Sequence, residues 1–230
     1  MVRSPELAPL GILGGTFDPI HFGHLRLAEE ARQQLGLARV RLIPAGRPAH
    51  RGTPGARAEQ RLAMTQLAAA GNAALEVDAA EVLSNAPSYT VPTLERLRRE
   101  LGAQQPLVLL LGADAFAGLP SWHRWRSLFE LAHIAVATRP GHSLDTHALP
   151  PELAAVCDER STDASALATS PAGCILRFPI TPLDISATAI RSACARLESP
   201  RYLLPDGVVD YIAQHRLYRE APCEPEEEPS

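Results

Sequence analysis

The chain has 230 residues and a net charge of −4, which allows one sizeable core and gives no global case for binding nucleic acid. Hydrophobic residues make up 46% of it and charged residues 21%, the balance of an ordinary globular protein. All 22 basic residues are arginines, so no lysine nucleophile or Schiff base is available, and side-chain cations for phosphate must come from arginine or histidine.

In chain order, Leu10 to Leu13 reads as a buried strand and Leu25 to Leu35 as a helix, with Gly36 as its stop. Val40 to Ile43 is a second strand, ended by Pro44. Ala58 to Ala70 has a helical pattern, with Leu62, Met64, Leu67 and Ala68 available to a core. Leu75 to Asp78 reads as a short strand. Tyr89 to Leu101 reads as a helix with Pro92 in its first turn, where proline is tolerated. Pro106 to Leu111 is fully apolar, as a parallel strand covered on both faces should be. Leu128 to Ala132 is expected to be helical, Ile134 to Thr138 a strand and Pro150 to Glu159 a helix. Ser161 to Gly173 is small and polar and reads as a surface loop. A last strand, Ile175 to Phe178, precedes a helix capped by Ser186 and a final helix over Val208 to His215. Strands alternating with helices imply a parallel α/β sheet, with ligands bound beyond the C-terminal strand ends. Residues 1–219 are expected to form one domain, and 220–230 an acidic, proline-rich, disordered tail.

Cys157, Cys174, Cys194 and Cys223 are scattered, without a C-x-x-C pair. This argues against a zinc site and fits thiols in a reducing compartment. Met1 to Pro9 has no long apolar core, and no apolar run approaches the length of a membrane span. The expectation is a cytoplasmic protein with neither membrane nor nucleic acid as partner; the sequence sets no oligomeric state.

Chemistry concentrates in Gly14-Gly15-Thr16-Phe17-Asp18-Pro19-Ile20-His21-Phe22-Gly23-His24. A strand, a glycine turn that lets the backbone approach a ligand, and two histidines at a helix start make a site for anionic phosphate. His21 and His24, three apart, fall on one side of the first turn. A second cradle is Ile185-Ser186-Ala187-Thr188-Ala189-Ile190-Arg191: a helix start with two hydroxyls and an arginine about one turn on. Taken alone, each also reads as a plain turn or helix cap. Neither G-x-G-x-x-G nor a P-loop occurs.

The first block, Gly-Gly-Thr-Phe-Asp-Pro-x-His-x-Gly-His, resembles along its whole length the first motif of the nucleotidyltransferases with a His-x-Gly-His signature. Among these it is most similar to nicotinate-nucleotide adenylyltransferases. Ile185 to Arg191 matches that family's Ile-Ser-x-Thr-x-Ile-Arg, and Ser88 to Leu94 its Ser-Tyr-Thr-x-x-Thr-Leu. Gly112-Ala113-Asp114, Trp122 and Arg139-Pro140-Gly141 match further segments. The chain departs at Pro48-Ala49-His50-Arg51, where relatives often have Pro-Pro-His-Lys, and at Pro92, often acidic in relatives. The resemblance covers about Leu10 to Tyr218.

The resemblance implies a Rossmann-like sheet with helices on both faces and a C-terminal helical portion. It implies adenylyl transfer from ATP to nicotinate mononucleotide, giving nicotinate adenine dinucleotide and pyrophosphate. Carried over, Gly14, Gly15, Thr16, Phe17, His21, Gly23, His24, Gly112, Asp114, Ile185, Ser186 and Arg191 bind ATP, and His21, His24 and Arg191 serve catalysis. Thr90, Val91, Trp122, His123, Arg139 and His50 face the mononucleotide: a flat ring on the indole, its carboxylate on N–H donors. Mg²⁺ is expected with ATP, held by phosphate oxygens and water rather than a carboxylate cage. Asp18 is either an outer-shell ligand or a cap of its turn, and Asp114 either contacts the nucleotides or caps its strand end. The alternatives are nicotinamide mononucleotide or another phosphate acceptor as substrate and, outside enzymes, a nucleotide-binding sensor.

Overall fold

β1 (Leu10–Gly15) lies inside a six-stranded parallel sheet of order β3-β2-β1-β4-β5-β6. The computed structural model describes residues 7–49, 52–138 and 148–219. The other strands are β2 (Arg39–Pro44), β3 (Leu75–Val77), β4 (Leu107–Gly112), β5 (His133–Thr138) and β6 (Ile175–Pro179). Between them run α1 (Phe22–Gln34), α2 (Ala58–Ala69), α3 (Ala80–Leu83), α4 (Thr90–Leu101), α5 (Ala113–Ala117), α6 (Leu128–Leu131) and α7 (Pro151–Arg160). α8 (Ala187–Ala195) and α9 (Asp206–Gln214) follow β6. This is the expected Rossmann-like α/β architecture with a C-terminal helical portion.

Side-chain alternation along the strands feeds two cores. On β4, Leu107, Leu109 and Leu111 join the layer of α4, α6 and α7, while Val108 and Leu110 join that of α1, α2, α8 and α9. A strand covered on both faces has no solvent side, which is why this run is apolar throughout. In α4 the buried positions Val91, Leu94 and Leu97 repeat at helical spacing.

Two readings change. α2 buries Arg61, Met64, Thr65 and Ala69, while Leu67 stays 42% exposed; an arginine with buried hydrogen-bond partners takes the face expected for leucine. The segment read as a surface loop contains a 3-10 helix, Ala164–Ala168. Its Leu167 is buried in the α1 and α2 layer, an apolar anchor within a small, polar stretch. α3 and α5, of four and five residues, are too short to show a period.

The order places β1 and β4 side by side at the centre, registered Leu10 to Leu107 and Ile12 to Leu109. β1 leads to β2 on one side and β4 leads to β5 on the other. The crevice of such a sheet opens between the loops that leave these two strands.

Candidate active site

The loop leaving β1 carries the two histidines to that crevice. His21 is the N-cap of α1 in extended conformation and His24 sits in its first turn. Their rings stack at 3.8 Å between centroids, inclined by 31°. Phe17 meets His24 edge-on at 5.0 Å. The His21 main-chain N–H donates to His24 Nδ1 at 3.3 Å, so the ring hydrogen of His24 lies on Nε2. His21 is buried, and its Nδ1 is enclosed without a hydrogen-bond partner among the described residues. Burial disfavours the charged ring and lowers its pKa to about 4, so His21 is neutral at physiological pH.

Gly23 brings the second signature against the first. A Cβ there would lie 3.0 Å from the His21 ring and 3.7 Å from the carbonyl oxygen of Ile185. Ser186 caps α8, its hydroxyl accepting from the N–H of Ala189 at 3.1 Å. Arg191, one turn into α8, donates to the carbonyl of Asp18 at 2.8 Å and to the Thr188 hydroxyl at 3.2 Å. Its side chain remains 34% exposed. The chain's beginning and its C-terminal helices thus share one wall. Glu30 of α1 holds the approach to α8, accepting from the N–H of Thr181 at 2.7 Å and from its hydroxyl at 2.6 Å.

Asp18 is occupied within the protein. Its carboxylate accepts from the N–H groups of Gly55 (2.7 Å) and Ala56 (3.0 Å) and from the hydroxyl of Tyr218 (2.9 Å). The carboxylate does not cap its own turn: it binds segments 37 and more positions away. Among the described residues no group of three or more His, Cys, Asp or Glu is placed to hold a metal ion.

The residue that sequence reading missed is Arg61. Its guanidinium is buried and donates to the carbonyls of Thr16 (2.7 Å), Ala45 (2.6 Å), Gly46 (3.0 Å) and Ala56 (3.2 Å). It therefore ties the ends of β1 and β2 together. One arginine in a helical run carries no mark of this, because its partners are distant carbonyls. Ser88 extends the tie, accepting through its hydroxyl from the N–H groups of Gly46 (2.9 Å) and Arg47 (3.2 Å).

Ser88 stands just before α4, whose first-turn N–H groups, those of Thr90 and Val91 among them, lack intrahelical acceptors. The Tyr89 ring packs on His123 at 4.8 Å. This joins the Ser-Tyr-Thr segment to the Trp122-His123 segment, and Arg124 adds an ion pair with Glu95 of α4 at 2.9 Å. Trp122 is half-buried, whereas Trp125 is buried against Phe129. Gly112 caps α5 at the end of β4, and Asp114 is exposed in that helix's first turn. Gly14 is exposed at the end of β1, with Gly15 and Thr16 half-buried beside it. His50 and Arg139 lie outside the described residues.

A parallel sheet of this order, with a histidine pair at the first helix start and a capped helix abutting it, defines a nucleotidyltransferase of the cytidylyltransferase-like class. The cytidylyltransferase-like family model matches residues 12–193. The chain is 60% identical over 212 residues to a probable nicotinate-nucleotide adenylyltransferase of Dechloromonas aromatica, covering 92% of this chain and 98% of that one. It is 47% identical to a namesake from Pseudomonas putida, covering 95% and 99%. The chain belongs to the nicotinate-nucleotide adenylyltransferase family. Its fold is also that of a Plasmodium falciparum nicotinic acid mononucleotide adenylyltransferase complexed with NaAD. That match has a TM-score of 0.67 at 16% identity and covers 92% of this chain and 97% of the other.

Proposed function

We propose that the protein transfers the adenylyl group of ATP to nicotinate mononucleotide in NAD biosynthesis, in the cytoplasm. The observation that carries the reading is the meeting of the two phosphate cradles, with the carbonyl of Ile185 beside Gly23. The acceptor's phosphate is already anionic, so no general base is required. One of its oxygens attacks the α-phosphorus of ATP, the bond to the bridging oxygen breaks, and pyrophosphate leaves with that electron pair. What the protein supplies is alignment and relief of charge. The Nε2–H of His24 suits the reacting α-phosphate. Neutral His21 adds a second ring there without the cost of a buried charge. The start of α8 and Arg191 suit the leaving pyrophosphate.

Gly14 to Phe17, Gly112 and Asp114 border the nucleotide at the strand ends. On the acceptor side, the first turn of α4 at Thr90 and Val91 offers N–H donors to the ring carboxylate, with His123 beside them and the Trp122 face for the ring. His50 and Arg139 belong to this side by family resemblance. Mg²⁺ accompanies ATP and neutralises phosphate charge; with Asp18 committed to protein partners, phosphate oxygens and water are its ligands.

The test is pyrophosphate release from ATP and Mg²⁺, run in parallel with nicotinate and nicotinamide mononucleotides. A rate tens of times higher with the acid, as donors left mispaired by an amide would give, supports the reading. Comparable rates keep the adenylyl transfer and remove the carboxylate site. Silence with both overturns the proposed reaction.

A further inference from the structure

Tyr218 lies beyond both signatures, after α9. Its backbone is left-handed, with φ of 61°, an uncommon conformation for a tyrosine. In that pose its hydroxyl donates to Asp18 Oδ1 at 2.9 Å. Burial, with the Asp18 charge beside it, pushes the phenol far above its ordinary range, so the hydroxyl stays a donor at any working pH.

Asp18 is also what Arg191 leans on. Its carbonyl accepts from Nη1 at 2.8 Å, and its Oδ2 lies 3.8 Å from the same nitrogen. The backbone of Gly55 passes between Tyr218 and Arg191: a Cβ there would be 3.1 Å from the tyrosine ring and 3.3 Å from Arg191 Cδ. The tyrosine thus fixes the carboxylate and closes one side of the arginine's space.

We infer that Tyr218 is a positioning residue that sets Arg191 for the triphosphate of ATP through Asp18, and that it leaves the acceptor side untouched. This rests on the reading of Arg191 as an ATP contact. The experiment uses the full chain with Tyr218→Phe, which keeps the ring and removes the hydroxyl. ATP affinity is measured with Mg²⁺ by calorimetry without acceptor, and KM for each substrate by pyrophosphate release. The dissociation constant and KM for ATP are expected to rise about tenfold, the scale of one hydrogen bond to a charged group. KM for the mononucleotide should stay within about twofold. In an Arg191→Ala background, Tyr218→Phe should change ATP affinity by less than about twofold, because the effect passes through the arginine.

Unchanged ATP affinity, equal rises in both KM values, or an undiminished cost without Arg191 would overturn the inference. Should Tyr218→Phe fail to fold, Tyr218→His, which keeps an aromatic ring and loses the hydroxyl on Asp18 Oδ1, carries the same ATP-selective expectation with the same overturning results. A wild-type protein that binds ATP but releases no pyrophosphate with either mononucleotide removes the proposed reaction and leaves the calorimetric arm intact.

Discussion

His24 accepts the main-chain N–H of His21 through Nδ1 at 3.3 Å. One ring therefore finishes the start of α1 with one nitrogen and presents the hydrogen on its other. The helix start contributes its dipole at the same place. His24→Ala removes both contributions and should lower kcat by about a hundredfold or more, the scale of losing one charge-stabilising donor. His24→Asn retains a side-chain acceptor and lacks the Nε2–H, so its kcat should fall almost as far. Turnover near wild type in both variants would take His24 out of the transfer step.

The partner ring gives a prediction on stability. Burial lowers the His21 pKa to about 4 from 6.5, so between these values the unfolded chain binds the extra proton. Stability from this group is complete above pH 6.5 and is lost as pH falls toward 4. The full span is worth about 3 kcal/mol, with about 2 kcal/mol of it gone by pH 5. Buried His133, also shifted down by desolvation, adds loss in the same direction. Comparing the wild type with His21→Asn isolates the first. In denaturant unfolding at pH 7 and pH 5 the variant should lose about 2 kcal/mol less. Equal losses would mean that His21 titrates normally.

Two tryptophans three residues apart should separate binding from stability. Trp122 is half-buried beside the Tyr89 and His123 pair, while Trp125 is enclosed in the core against Phe129. Trp122→Ala should raise KM for the mononucleotide about tenfold, the scale of one lost aromatic stack, and leave KM for ATP unchanged. Trp125→Ala should instead lower unfolding free energy by about 3–5 kcal/mol. The same KM shift in both variants would remove the special role given to Trp122.

What was legible in the sequence follows from local rules. Apolar runs between glycine and proline breaks marked the strands, and the Ser186 cap and the spacing of His21 and His24 marked the helix starts. These features depend on neighbours within one turn or one strand. The unread parts depend on residues far apart in the chain. Tyr218 and Asp18 meet across 200 positions, and no pattern in either segment announces the other. Arg61 looks like any arginine on an amphipathic helix until the ends of β1 and β2 supply its acceptors. Leu167 likewise reads as one apolar residue in a polar stretch, although the 3-10 turn drives it into the core.

Arg61 also gives the sharpest prediction on the scaffold. Its guanidinium has no carboxylate within ion-pair reach among the described residues; carbonyl oxygens carry the charge, and desolvation lowers its pKa. Arg61→Met keeps the apolar stem and abandons the carbonyls of Thr16, Ala45, Gly46 and Ala56 in a buried place. Each stranded acceptor costs about 1–3 kcal/mol, less whatever water entering the gap restores. Denaturant unfolding should show a loss of about 3 kcal/mol or more. Arg61→Lys, with one compact ammonium for acceptors spread around a planar fork, should recover only part of it. A loss below about 1 kcal/mol in the methionine variant would show that these strand ends hold their positions without the arginine.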